Sequence, residues 1–282
     1  MNALSLFDGI SCAQVALERA GVKVNTYYAS ETEKNAVKIT QKNYPKTVQL
    51  GSITNWRSWD LEDIDLVIGG SPCQGFSYVG KQLNFEDPRS KLFFDLVNVI
   101  NHIKPTYFLF ENVVMKQEYQ DIISNCLGVQ PIKINSSVLS AQNRTRLYWT
   151  NIPYAADPSN KELVLRDIID FSEQGFSLSQ KGWDYMNASN KKWANGKKRL
   201  DVYANYLDKK AHCITANHAI TYPNGVIPEL NRRLSPLECE RLQTLPDKYT
   251  EGIAMTHRYK TIGNGFTVDV IAHILKGMVV ES

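Results

Sequence analysis

The chain has 282 residues, of which 43% are hydrophobic and 22% charged, and its formal net charge is +3. That is a globular balance, long enough for one large domain with an appendage or for two domains, and it excludes a polycation, so any contact with nucleic acid must come from local basic patches. The five cysteines (Cys12, Cys73, Cys126, Cys213 and Cys239) are odd in number and include no C-x-x-C pair, which argues against a disulfide framework and a structural zinc site.

Ala3 to Phe7 form a short apolar run that breaks at Asp8-Gly9. Ser11 to Ala20 then carry Ala13, Val15, Ala16 and Leu17 at helical spacing, so the order is strand, tight turn, helix. Val24 to Ala29 reads as a second strand ending on Ser30-Glu31, and Glu33 to Asn43 as the next helix, closed by Pro45. Val48 to Leu50 is a brief third strand before Gly51-Ser52-Ile53. Asp65 to Ile68 is a fourth, ending in Gly69-Gly70, and Cys73 sits on the loop that follows. Lys91 to Ile103 is amphipathic and precedes Pro105, and Tyr107 to Phe110 is a fifth strand running into Glu111-Asn112. Strands alternating with helices predict an α/β fold built on a parallel, doubly wound sheet.

The pattern weakens after Pro153, and from Asp157 to Pro228 the chain is polar without a clear period. Between Lys181 and Lys210 eight cations stand against Asp184, Asp201 and Asp208, so 8 − 3 gives +5 locally. Trp183, Tyr185, Trp193, Tyr203 and Tyr206 interleave with them. This is either a solvated irregular subdomain or a nucleic-acid face mixing cations with stacking rings. No run reaches the ~18 apolar residues of a membrane span, and the start is too short and lacks a basic leader for a signal peptide. We therefore expect a cytoplasmic protein without a resident metal.

The strand ends carry the candidate chemistry, because open α/β sheets bind ligands there. Cys73 is either a nucleophile or a small buried thiol. The turn Phe7-Asp8-Gly9-Ile10-Ser11 has one glycine where a dinucleotide-binding turn has three, which suits a cofactor without a pyrophosphate. Glu31 ends the second strand, where an acid can accept from both ribose hydroxyls. This order points to an adenosine-type cofactor, with S-adenosyl-L-methionine foremost. Glu111 is either hydrogen-bonded structure or a catalytic acid. Gln142, Arg144 and Arg146 are two apart, so in a strand they share one face, as a row of donors or as the polar side of an edge strand.

Eight segments in one order resemble the DNA cytosine-5 methyltransferases: LSLFDGIS, ASE ending at Glu31, GSI at 51–53, GGSPCQGFS, FLFENV, QNRTRLYW, RRLSPLECERLQTLP and IGNGFTVDV. SPCQGFS and GKQLNFEDPRSKLFFD are similar to bacterial and phage members. LSLFDGI, DLVIGGSPC and FLFENVV also resemble the catalytic domain of the mammalian de novo enzymes. The resemblance implies a Rossmann-like S-adenosylmethionine-dependent methyltransferase sheet with a smaller target-recognition domain. It implies methyl transfer to carbon 5 of a flipped cytosine in double-stranded DNA through a covalent Cys73 intermediate, with Glu111 at N3 of the base. Arg146 would hold the base oxygen, and Arg144 would orient the cysteine loop or a backbone phosphate.

Cofactor contacts are implied for Phe7, Asp8, Gly9, Ile10, Ser11, Glu31, Ser52, Ile53, Asn264, Gly265 and Phe266. Many members have Asp where this chain has Ser52, and a hydroxyl accepts more weakly than a carboxylate, so cofactor binding is expected to be intact but weaker. Val79 falls where members insert a side chain into the space left by the flipped base. Ser77 and Gln142 are the other implied DNA contacts. The implied domains are 1–155 with 249–282 for catalysis and cofactor, and 156–248 for DNA reading. That reader is short, which suggests a short recognition site, and His212 to Ala216 resembles the family's reader segment. A cognate restriction endonuclease would be a partner. The alternatives are a tRNA cytosine-5 methyltransferase of the same superfamily, a catalytically silent DNA-binding partner, and a NAD-dependent dehydrogenase, the last opposed by the missing glycines.

Overall fold

The fold is that of a computed structural model, which describes residues 1–71, 88–154, 156–189, 196–216 and 225–278. Cys73, Ser77 and Val79 lie outside the described residues. By their contacts the described chain falls into two compact units.

The first unit comprises Met1–Asn135, Thr145–Asp157 and Val268–Ser282. Its elements in chain order are β1 (Ala3–Leu6), α1 (Cys12–Ala20), β2 (Tyr27–Ser30), α2 (Lys34–Asn43), β3 (Val48–Gln49), a 3-10 turn (Ile53–Ser58), β4 (Leu66–Gly69), α3 (Pro88–Ile103), β5 (Tyr107–Val113), α4 (Gln117–Leu127), β6 (Ile132–Asn135) and β7 (Thr145–Thr150). The strands form one seven-stranded sheet in the order β3-β2-β1-β4-β5-β7-β6. The first five run parallel, and β7 runs antiparallel to both β5 and β6. The sheet is therefore mixed, not wholly parallel.

β1, β2 and β4 are buried at every position, as central parallel strands covered on both faces must be. Leu4, Leu6, Val67 and Phe110 pack with Phe93, Leu96 and Val99 of α3 and with Trp149 of β7. The rings of Phe93 and Phe110 lie 5.6 Å apart, as do those of Phe110 and Trp149. The buried Trp149 indole donates to the Ser124 hydroxyl at 2.9 Å, so its polar edge is satisfied. β5 runs past Phe110, pairing Glu111 with Tyr148, Asn112 with Leu147 and Val113 with Arg146. Glu111 and Asn112 thus lie inside a strand that the apolar run alone ended too early.

The second unit comprises Ser136–Arg144 and Pro158–Thr267. It holds α5 (Gln180–Asn187), α6 (Arg199–Tyr203), a two-stranded antiparallel pair of β8 (Val226–Ile227) and β9 (Arg232–Arg233), α7 (Pro236–Leu242) and α8 (Met255–Asn264). The last helix, α9 (Val268–Leu275), belongs to the first unit, where it packs on α1, and Asp269 pairs with Arg19 at 2.6 Å.

The sequence assigns 249–282 to the large domain, whereas 249–267 belongs to the second unit. The cause is apolar: Tyr259 and Ile262 of α8 share a buried cluster with Cys239 and Leu242 of α7 and with Leu165, Ile214 and Leu234. Charge is handled by pairing. Buried Glu238 takes Arg232 through contacts of 2.6 and 2.8 Å, and buried Glu240 accepts from Thr250 N at 2.8 Å and Arg258 at 3.0 Å. A buried charge is tolerated only when paired in this way.

Candidate active site

The loop after β1 turns through three left-handed residues. Phe7, Gly9 and Ser11 have φ of 57°, 62° and 57°, the left-handed region that side chains disfavour. Asp8 N donates to Ser30 O at 3.1 Å, tying the turn to the end of β2. Glu31, just past β2, accepts from Gly9 N at 2.9 Å, Thr32 N at 2.7 Å and Glu33 N at 2.8 Å. Such charge-assisted bonds fix the carboxylate at the C-terminal end of the strand.

Asp8 was expected to touch cofactor, but its side chain points inward. Its carboxylate accepts from the Tyr27 hydroxyl at 2.7 Å, from the Ser11 hydroxyl and, at 3.5 Å, from Thr40. Burial pushes its pKa up to about 6, against the opposing effect of the hydroxyl donors. A carboxyl held higher in the folded chain than unfolded stabilises fully below about pH 4 and loses that contribution as pH rises through 6. From pH 5 to pH 8 the loss is about 1.4 kcal/mol. Asp8→Asn should therefore shrink the stability difference between those two pH values by about that much. Urea unfolding of both proteins at each pH checks this, and an unchanged difference would refute it.

Ile10 and Ile53 are also buried, Ile53 within the core cluster that holds Leu4 and Tyr28. Ser52 caps the 3-10 turn: its hydroxyl lies 2.8 Å from that of Thr54 and accepts from Thr54 N at 3.3 Å. The Ser52 hydroxyl thus stabilises the start of this turn.

At the same C-terminal edge of the sheet, one residue past the row Ser30–Leu6–Gly69–Phe110, Glu111 meets Arg146. Glu111 is opposite Tyr148, and Arg146 lies two residues from Tyr148 on the same face. The two are diagonal cross-strand neighbours within reach of long side chains. Arg146 Nε lies 2.9 Å from Glu111 Oε1, and Arg146 Nη1 donates to Thr145 O at 2.8 Å. Both side chains keep some exposure, 15% and 13%. The pair is therefore oriented but reachable.

One residue beyond Glu111, Asn112 is buried, and sequence reasoning passed over it. The β4–β5 ladder ends at Gly69 opposite Phe110. Past that point the Asn112 amide donates to Ser71 O and reaches Ser71 Oγ, both at 3.4 Å. A side chain thus continues the ladder to Ser71, the last described residue before Cys73. The available signal was a polar residue directly after an acid at a strand end.

Gln142 and Arg144 do not form a donor row with Arg146. β7 begins only at Thr145, and both residues belong to the second unit. Gln142 is fully buried: its amide nitrogen donates to Leu242 O at 2.7 Å and Gln243 Oε1 at 2.8 Å, and its oxygen accepts from Ile214 N at 3.2 Å. It has no surface to offer DNA. Arg144, 5% exposed, donates to Ile214 O at 2.8 Å and Gly265 O at 2.9 Å. Asn264 is exposed and Gly265 and Phe266 are half-buried, just past the body of α8.

In the basic and aromatic segment, the Arg199 guanidinium lies 4.1 Å from the centre of the Tyr185 ring, and Lys209 lies 5.3 Å from that of Tyr206. Tyr185 is 48% exposed. Lys191, Lys192 and Trp193 lie outside the described residues. Among the described residues no cluster of three or more His, Cys, Asp or Glu could hold a metal, and no helix is long and apolar enough to cross a membrane.

The family model described as C-5 cytosine-specific DNA methylase matches residues 1–152 and 133–279. The Type II methyltransferase M1.ScrFI of Lactococcus lactis subsp. cremoris is 27% identical over 303 residues, covering 98% of this chain and 77% of that protein. The Type II methyltransferase M.NlaX of Neisseria lactamica is 28% identical over 301 residues, covering 98% and 95%. Among solved structures, a Spodoptera frugiperda DNMT2 mutant has the same fold, with a TM-score of 0.72 at 19% identity over 99% of this chain and 100% of that one.

Proposed function

The chain belongs to the C-5 cytosine-specific DNA methylase family, and from that premise we propose that it methylates carbon 5 of cytosine in double-stranded DNA through a covalent adduct of Cys73. The observation that carries the reading is the Glu111–Arg146 pair, an acid and a fork of donors side by side at a strand end. Carbon 5 of cytosine is a poor nucleophile. Addition of the Cys73 thiolate to carbon 6 turns the ring into an enamine-like species. Glu111 stabilises the charge developing at N3 as an acid or hydrogen-bond donor, and Arg146 holds the base oxygen. After carbon 5 is methylated, its proton leaves to water and elimination returns the thiolate. The base must leave the duplex, at a cost of a few kcal/mol.

The first turn suits S-adenosyl-L-methionine. Open space surrounds the position of a Gly9 Cβ, and Glu31 stands beside it as an acceptor for ribose hydroxyls. Phe7, Ser52, Asn264, Gly265 and Phe266 complete the set that would hold it. When bound, it supplies an electrophilic methyl group on a sulfonium. The second unit serves as the DNA reader, with the cations around Tyr185 and Tyr206 on phosphates. The Type II names of the relatives suggest a restriction-modification role with a cognate endonuclease, in the cytoplasm.

Duplex DNA containing 5-fluorocytosine, incubated with cofactor, should yield an adduct that survives denaturation and maps to Cys73, because fluorine at carbon 5 blocks elimination. Labelled methyl transfer should favour duplex DNA over tRNA. Absence of adduct, or preference for tRNA, would overturn the reading.

A further inference from the structure

We infer that Arg144 and Gln243 are positioning residues for the cofactor: they hold the Asn264–Phe266 segment in place and do not act on the base. This rests on the methyltransferase reading above. The resemblance puts Arg144 at the cysteine loop or a phosphate, and it says nothing of Gln243.

The last carbonyls of α8 are short of helical partners, as at every helix end, and Ile262 O has only the tight bond from Gly265 N at 3.1 Å. Here two buried side chains supply the missing donors. Arg144 Nη2 donates to Gly265 O at 2.9 Å and reaches Gly263 O at 3.4 Å. Gln243 is fully buried, and its Nε2 donates to Ile262 O at 2.9 Å and Gly265 O at 3.2 Å. Gly265 O, directly before Phe266, is therefore held from two sides.

The holders are themselves held. Gln243 Oε1 accepts from Gln142 Nε2 at 2.8 Å and from the Thr267 hydroxyl at 2.9 Å. The other arm of the Arg144 fork donates to Ile214 O at 2.8 Å. Thr267 ends the same segment, so Gln243 grips it on both sides of Phe266. A guanidinium spanning two carbonyls needs its planar fork, which lysine lacks.

At 5% exposure, with its fork donating to Ile214 O and Gly265 O and reaching Cys213 Sγ at 3.5 Å, Arg144 acts on the segment that carries Asn264 and Phe266. A small misplacement of such a segment costs orders of magnitude in a reaction or in affinity. The network makes Gln142 its brace, which also accounts for the burial of a residue expected on DNA.

The test separates cofactor binding from attack on the base. Thiolate addition at carbon 6 lets water protonate carbon 5, and elimination then releases the original hydrogen. Tritium release from duplex [5-³H]cytosine DNA without cofactor therefore reports Cys73 addition alone. Arg144→Lys and the near-isosteric Gln243→Met are compared with wild type for this release and for S-adenosylhomocysteine binding by calorimetry, with thermal melting to confirm folding. We expect the dissociation constant to rise about tenfold or more in each variant, with release at saturating DNA within about threefold of wild type. Slowed release with unchanged cofactor binding places Arg144 at the base and overturns the proposal. An equal loss of both overturns it too, as a general defect. Failure of the wild-type chain to release tritium would instead strike the proposed reaction, and the binding arm would still decide the role of Arg144.

Discussion

Cys73→Ala is expected to lower methyl transfer by roughly four orders of magnitude or more, the loss typical when a covalent nucleophile is removed. Without a thiolate at carbon 6, carbon 5 has no electron density to offer, and the polar groups around N3 and the base oxygen have no developing charge to stabilise. Binding should change little, within about threefold, because phosphate contacts dominate affinity for DNA. Single-turnover transfer to a duplex library and filter binding check the two halves. Turnover near the wild-type rate would end the covalent account, and Cys73→Ser with a wild-type rate would do the same.

The second large effect is expected at Gly263. A Cβ there would lie 2.3 Å from both the carbonyl carbon and oxygen of Thr215 and 2.5 Å from Ala216 N. Those are backbone atoms, so no rotamer change relieves the clash. Gly263 lies in α8, where alanine by itself would gain about 1 kcal/mol of helix propensity. Overpacking of a tight site costs about 1–3 kcal/mol and sometimes more, so Gly263→Ala should still destabilise the second unit by about 2 kcal/mol or more. Chemical denaturation measures the loss. Hydrogen exchange should place it at α8 and at Ile214–Ala216, and unchanged protection there would show that the two backbones move apart freely.

Much of the first unit was legible because its code is local. Buried parallel strands announce themselves as continuous apolar runs, and Ala3–Leu6 and Leu66–Gly69 emerged almost whole. Glu31 and Glu111 stood out because each follows a strand end, Glu31 in the order turn, helix, strand, acid. The strand period misled at Gln142 and Arg144. Alternation holds only while the chain stays in a ladder, and this ladder starts at Thr145. Gln243 was silent for another reason: its partners are carbonyls about twenty residues away, and backbone acceptors leave no mark in a sequence. The core of the second unit was hidden for a similar reason, since Glu238 and Glu240 look solvated until Arg232 and Arg258 are seen against them.

The packing of α9 on α1 also sets an order of events during synthesis. Arg19 and Asp269, paired at their edge, are 250 positions apart. A ribosome that has released the first six strands has still not made the element that covers the first helix. The side of α1 that α9 covers therefore waits, uncovered, while 250 residues are made, and a loop of that length must close. Contacts of such separation slow folding and prolong exposure to aggregation. Truncation before Val268 would leave that side bare for good, so the last helix is the step on which a soluble nascent chain depends.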